Sequence, residues 1–204
     1  MYQDTITTLS IPMKENILDT IDSHTQAMLR AHNKVFVFRI DVHAENNAEF
    51  SQFNQRLMQS EKRAGIDAGY VAVAERDSKG KIHFHEVVLL DGNKTRSIIP
   101  HVKKANRIMN NLRGFPCDYN NGLIDDCNAP SNPQPNGIMI RRSDKDLTNL
   151  HNAYRQASYL AKEAQKDGFD KGTRTIFASQ LKPGKSQRQQ HLQRKASDRL
   201  GKDL

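Results

Sequence analysis

The chain has 204 residues, with 31 Lys+Arg against 23 Asp+Glu and a net charge of +8. That length suits one domain with a real core, and the positive excess favours a polyanionic partner, usually nucleic acid. No apolar run approaches the roughly 18 residues a membrane span needs. The opening MYQDTITTLSIPMKEN lacks the basic and apolar regions of a secretion signal, so a cytoplasmic protein without a membrane partner is expected. Cys117 and Cys127 are the two cysteines. Without an export signal a disulfide between them is not expected, and they are too few for a structural zinc site by themselves.

Residues 5–31 read as helical, with Ile17, Ile21, Ala27 and Leu29 among the apolar positions and Pro12 near the start. KVFVFRIDVH, rich in β-branched and aromatic residues, reads as a strand over 34–43. In NNAEFSQFNQRLMQSEKRAG, Phe50, Phe53, Leu57 and Met58 fall at helical spacing and Gly65 is the stop. GYVAVAER (69–76) and KIHFHEVVLL (81–90) are strands joined by the hairpin turn DSKG. TRSIIPHVKKANRIMNNLRG reads as a helix from Pro100 to Leu112 that ends at Gly114. Residues 115–136 read as loop, with a short strand near Leu123–Ile124. GIMIRR (137–142) is a strand, and Ser143 to Gly168 a helix capped by Ser143, with Asp144 and Asp146 in its first turn.

The order is helix, β-α-β-β-α-β, helix. It predicts an α+β chain of ferredoxin-like arrangement: one antiparallel sheet with helices on one face and the other face free for a site. An N-terminal helical extension (1–33), a core domain (34–180) and a flexible basic tail (181–204) follow from the same reading. The tail carries seven Lys or Arg against two Asp. PGKS at 183–186 ends like a phosphate-binding loop, but Ser179 stands where that loop needs its first glycine.

Alternation puts His83, His85, Val87 and Leu89 on one face of their strand. If the hairpin turn is Ser78-Lys79-Gly80, Glu75 lies opposite His83. Imidazole and carboxylate ligands then converge with open positions, which suits a catalytic divalent ion such as Mg²⁺, Mn²⁺ or Zn²⁺. On the same alternation Glu86 points the other way, as a surface or supporting residue. Asp41 and His43, ending the first strand, are weaker candidates. An His-x-His on a strand is otherwise commonly a hydrogen-bonded pair.

On the last helix, Leu147, Leu150, Tyr154, Ala157, Ala161 and Ala164 form a core stripe, so Tyr154 reads as packing. Tyr159 lies roughly 140° from Tyr154 at about 100° per residue. It shares its side with Arg155, Lys162 and Lys166, a setting that suits a phosphate. The bland reading is a surface tyrosine on a solvated basic face.

The motif His83-Phe84-His85 resembles the His-hydrophobe-His strand of the HUH endonucleases, and Tyr159-Leu160-Ala161-Lys162 resembles their Tyr-x-x-Lys helix. The spacing of Glu75 before His83 is similar to the acidic ligand of replication-initiator members. More narrowly, FRIDVH, AERDSKGKIHFHEVVLL and ASYLAKE resemble the filamentous-phage and prophage (inovirus Gp2-like) replication proteins, over about residues 34–180. The resemblance implies an endonuclease that nicks one DNA strand at an origin. Glu75, His83 and His85 would hold Mg²⁺ or Mn²⁺. Tyr159 would become linked to the 5′ phosphate and leave a free 3′-OH, with Lys162 neutralising the phosphate. Some members use two tyrosines on one helix face; Tyr154 and Tyr159 do not share one, so the nucleophile is carried over to Tyr159 alone. Single-stranded or origin DNA is the expected partner, held by Arg155 and Lys166, by Arg96, Lys103, Lys104, Arg107, Arg141 and Arg142, and by the tail. A host helicase and polymerase would complete replication.

Two other readings use the same residues. A non-catalytic binder of single-stranded nucleic acid would want exposed aromatics on the central strands; Phe84 is available but alternates away from the histidines. An unrelated metal-dependent enzyme would use the histidines and leave Tyr159 incidental.

Overall fold

Three long strands rich in β-branched and aromatic residues make the centre of the sheet: β1 (Lys34–Val42), β2 (Ala68–Arg76) and β3 (Ile82–Asp91). The computed structural model describes residues 14–77, 79–127, 136–143, 145, 147–161 and 169–180. Among these, the helices are α1 (Glu15–Ala31), α2 (Asn47–Arg63), α3 (Ile99–Arg113) and α4 (Thr148–Ala157). The short strands are β4 (Ile124–Asp125), β5 (Ile138–Arg141) and β6 (Ile176–Ala178). The chain is α+β, with a six-stranded antiparallel sheet in the order β4-β1-β3-β2-β6 and β5 also paired with β1.

β3 is central. It pairs with β1 through Asp41↔His85 and with β2 through Glu75↔His83. The hairpin between β2 and β3 sets that second register. Asp77 Oδ1 accepts from the backbone N–H of Lys79 at 2.9 Å and of Lys81 at 2.8 Å, and Gly80 takes φ +77°. Asp77 thus caps its own turn, and the left-handed residue is a glycine, which adopts that conformation at little cost.

Each face of the sheet carries its own core. Phe36, Phe38, Ile40 and Val42 of β1 pack with Phe84 and Val88 of β3 against Phe50, Phe53 and Leu57 of α2 and Met109 of α3. Val35 and Val37 pack with Val71, Val73, Val87 and Leu89 against Ile17 and Ile21 of α1 and Leu150 and Tyr154 of α4. This corrects the expectation of helices on one face only. A strand bare on one side alternates apolar and polar residues, whereas VFVF is apolar at consecutive positions and must be covered on both sides.

Two helix termini behave as the sequence predicts: Gly65 follows the end of α2 at φ +73° and Gly114 ends α3 at φ +69°. At its start α2 is capped by Asn46, which accepts from the N–H groups of Ala48 and Glu49, both at 3.0 Å. The last helix departs from the prediction. It starts at Thr148 rather than Ser143, no side chain caps it, and Leu147 is exposed. It then tightens into a 3₁₀ turn over Ser158–Ala161. Strand β6, unforeseen in the sequence, seals the β2 edge. The predicted Pro12, Asp144, Asp146, Ala164 and tail positions lie outside the described residues. No described helix is long and apolar enough to cross a membrane, and both cysteines are free thiols.

Candidate active site

On the α1/α4 face, apolar residues occupy only part of each strand. Val35 and Val37 are followed along the same side of β1 by Arg39 and Asp41. Leu89 and Val87 of β3 give way to His85 and His83, and Val71 and Val73 of β2 to Glu75. The polar ends of these strands converge where the second core stops.

Glu75, His83 and His85 each present a ligand atom within 4.8 Å of the others. Glu75 and His85 are buried, at 3 % and 6 % exposure, and His83 is half-buried. Glu75 Oε2 lies 3.0 Å from His85 Nε2 and 3.8 Å from His83 Nε2. The other nitrogen of His85, Nδ1, meets Asp41 Oδ1 at 2.6 Å. Burial opposes charge on His85, but its hydrogen bonds to Asp41 and Glu75 outweigh it and raise its pKa. Burial and then the neighbouring His85 lower that of His83. Burial also opposes ionisation of Asp41, yet the hydrogen bond and charge of His85, then the charge of Arg39, hold its carboxyl below the usual range. The trio offers two imidazole nitrogens and a carboxylate, a donor set that fits a divalent cation.

Tyr159 reaches this cluster from the 3₁₀ turn. Its ring meets that of His85 edge-on, with centroids 5.5 Å apart, and 37 % of the residue is exposed. Arg39 lies over the Tyr159 ring, Cζ 4.2 Å from the centroid, and its Nε is 3.7 Å from Asp41 Oδ1 and 3.4 Å from Cys127 Sγ. Asn136 fastens this arrangement together. Its Oδ1 accepts from Arg39 N at 2.9 Å and from Gln156 Nε2 at 3.0 Å, and its Nδ2 donates to Arg39 O at 2.6 Å. The end of α4 is thereby tied to β1 just before Tyr159. Tyr154 is at 7 % exposure in the second core, and its hydroxyl donates to Asp22 of α1.

The sequence reading named Glu75, His83, His85 and Tyr159, and the fold brings them together. It missed Arg39 and Asn136. Arg39 was within reach, because it alternates with Asp41 on β1. Asn136 carries no local signal, since its partners Asp126, Gln156 and Arg39 lie 10, 20 and 97 residues away in the chain. Glu86 is corrected from a surface position to a buried one. It is fully enclosed on the α2/α3 face and accepts from Asn54 Nδ2 at 3.3 Å. Phe84 stacks on Phe50 with centroids 3.9 Å apart and is fully buried, so it offers no base-stacking surface.

The basic candidates scatter. Lys103, Lys104 and Arg107 are on α3, which packs on the face opposite the cluster, and Lys104 Nζ pairs with buried Glu61 at 2.8 Å. Arg141 pairs with Lys34 at the far end of β1, seven residues from Asp41, roughly 23 Å at about 3.3 Å per residue. Arg142 bonds to Asn33 and Arg30 at that same end. Arg96 is exposed before α3, and Arg155 is exposed on α4. Lys162 and Lys166 lie outside the described residues. A cleft of about 610 Å³ opens beside the cluster instead, walled by His43, Arg76, Lys81, His83, Arg113 and Leu123 among others.

The model of the replication-associated protein ORF2 family matches residues 38–168, more than half of the chain. Among solved structures, the chain is similar to the N-terminal nuclease domain of the minute virus of mice non-structural protein-1. Identity is 8 %, the alignment covers 82 % of this chain and 80 % of that one, and the TM-score is 0.28. No curated protein matches significantly.

Proposed function

The chain belongs to the replication-associated protein ORF2 family, and from that premise we propose that it is a replication-initiation endonuclease that nicks one DNA strand through Tyr159. The observation that carries this reading is the edge-on contact of Tyr159 with His85, one corner of the Glu75/His83/His85 cluster. A divalent ion, Mg²⁺ or Mn²⁺, held by these three residues would supply Lewis-acid polarisation of the scissile phosphate.

The remaining work falls to the chain's own side chains. Tyr159 Oη attacks phosphorus in line. The new Oη–P bond forms as the P–O3′ bond breaks, the phenolic proton is given up and the departing oxygen gains one as a 3′-OH. The protein stays joined to the 5′ phosphate, so an incoming 3′-OH can reverse the step and close the strand. Arg39 fixes the phenol ring from above and sets its positive charge beside the negative charge that develops on the phosphate. Asp41 holds His85 in the tautomer that turns Nε2 toward Glu75. Lys162, by the Tyr-x-x-Lys pattern, neutralises phosphate. The free 3′-OH would prime a host polymerase, with strand opening supplied by a host helicase. DNA backbone binding by the scattered basic residues would be salt-dependent.

The test is a denaturing gel of labelled single-stranded origin DNA incubated with Mn²⁺ or Mg²⁺. A protein–DNA adduct should form with wild type and with Tyr154→Phe, and vanish with Tyr159→Phe or without metal. An adduct that survives Tyr159→Phe would reject the assignment.

A further inference from the structure

Large aromatic side chains are usually covered. Among the described residues, the exposed ones are Tyr159, at the cluster, and the pair Phe115 and Tyr119, at 41 % and 52 % exposure. The rings of that pair are neighbours, with centroids 5.8 Å apart. They sit in the loop that follows α3, and the loop is built to hold them. Asn110, fully buried, directs Nδ2 to the carbonyls of Pro116 at 3.1 Å, Cys117 at 3.3 Å and Tyr119 at 2.7 Å. Its Oδ1 accepts from Asn121 Nδ2 at 3.0 Å. A buried side chain thus fixes the backbone on both sides of two rings that face water. Presenting apolar area this way costs solvation, and its natural use is contact with another flat surface.

The loop also leads to the cluster. Arg113 before it and Gly122 and Leu123 after it line the cleft that reaches His43 and His83, and His43 N donates to Leu123 O at 2.8 Å. On the hairpin side of the same cleft stand Arg76 and Lys81 with Asp77 between them, and Glu45, paired with Arg113 at 3.6 Å, also lines it. Exposed Asp118 lies in the loop between the rings. A strand whose phosphates meet Arg76 and Lys81 would leave its bases free to turn toward the rings.

We propose that Phe115 and Tyr119 form a stacking platform for unpaired bases of the DNA strand that enters this cleft. The proposal rests on the nucleic-acid reading above and deepens it, naming a single strand rather than a duplex as the ligand at this face. Every base has a flat π-surface, so the platform is tolerant of sequence.

The test is fluorescence anisotropy of the full chain in EDTA. The probes are a labelled oligothymidylate of roughly 15 nucleotides and a duplex of equal length, each at several salt concentrations. The double variant Phe115→Ala/Tyr119→Ala should lose at least about tenfold in single-strand affinity. Its dependence on log salt should keep the wild-type slope, because no phosphate contact is removed. Duplex affinity should hold, and Phe115→Tyr/Tyr119→Phe should bind as wild type. Unchanged single-strand affinity in the double alanine variant, or no measurable binding by wild type, overturns the platform and leaves the rings to a protein partner. Parallel losses on single strand and duplex overturn it in favour of a structural role. Because metal is absent, a wild type that binds here yet forms no adduct with Mn²⁺ defeats the nuclease reading and leaves the platform standing.

Discussion

Asp41 Oδ1 lies 2.6 Å from Nδ1 of His85, while Glu75 Oε2 lies 3.0 Å from Nε2 of the same ring. Both ring nitrogens therefore face carboxylates. A neutral imidazole donates to only one of them, so the second contact needs either a second proton or a cation. Asp41 accepts the hydrogen bond from Nδ1–H and leaves Nε2 as the nitrogen for a metal. Replacing Asp41 with Ala should weaken Mn²⁺ binding by roughly 10–100-fold, read by isothermal titration calorimetry. An unchanged affinity would remove Asp41 from any role in orienting the ring.

The same geometry makes metal binding a competition with protons. The pKa of His85 is raised because Asp41 and Glu75 outweigh the cost of burial. A divalent ion must displace the proton on Nε2, so affinity should fall as pH drops and protons should be released on binding. The decline should begin at a higher pH than an ordinary histidine would give. Calorimetry in buffers of different ionisation enthalpy counts the released protons, and a count of zero across the histidine range would contradict this account.

Arg39 contacts both Tyr159 and Asp41, but it is not among the cluster's donors. Arg39→Ala should slow adduct formation by about 10²-fold while changing Mn²⁺ affinity far less. Arg39→Lys should restore little, because a lysine cannot stack a planar guanidinium on the ring. Equal losses in rate and in metal affinity would mean that Arg39 acts through Asp41 instead.

Glu86 adds a pH dependence unrelated to catalysis. Burial pushes its carboxyl up to about 8, against the hydrogen bond from Asn54. Its Oε1 and Asn54 Oδ1 are buried atoms without a hydrogen-bond partner, so a proton on Glu86 supplies the missing donor. A raised folded-state pKa means full stability below the unfolded value of 4.5, lost as pH rises toward about 8. Glu86→Gln carries that donor permanently. It should match wild type near pH 4 and exceed it at pH 8 by on the order of a few kcal/mol, or roughly 2–4 °C in Tm per kcal/mol. Thermal unfolding at the two pH values checks this; equal Tm values at pH 8 would place the proton elsewhere.

Much of the site follows from period and spacing. Strand alternation alone places His83 and His85 on one side, and a capped hairpin with Gly80 sets Glu75 opposite His83. These are local properties, decided by residues within one hairpin. The doubly covered sheet was also legible, in the consecutive apolar residues of VFVF, although alternation at the histidines suggested a bare face. Tertiary structure decided the rest. Arg39 and Asp41 reach His85 only because β1 pairs with β3 in one register, and a one-residue slip would turn both away. Tyr159 reaches the cluster because Asn136 ties the end of α4 to β1 and the chain tightens to a 3₁₀ turn there. The basic residues of α3 and β5, equivalent in the sequence, are carried to the opposite face and the far end of the sheet. Charge and composition are additive along a chain and do not encode direction. Which side chains meet is settled by packing between segments far apart in sequence, where the gain in burial exceeds the entropy of closing the loops between them.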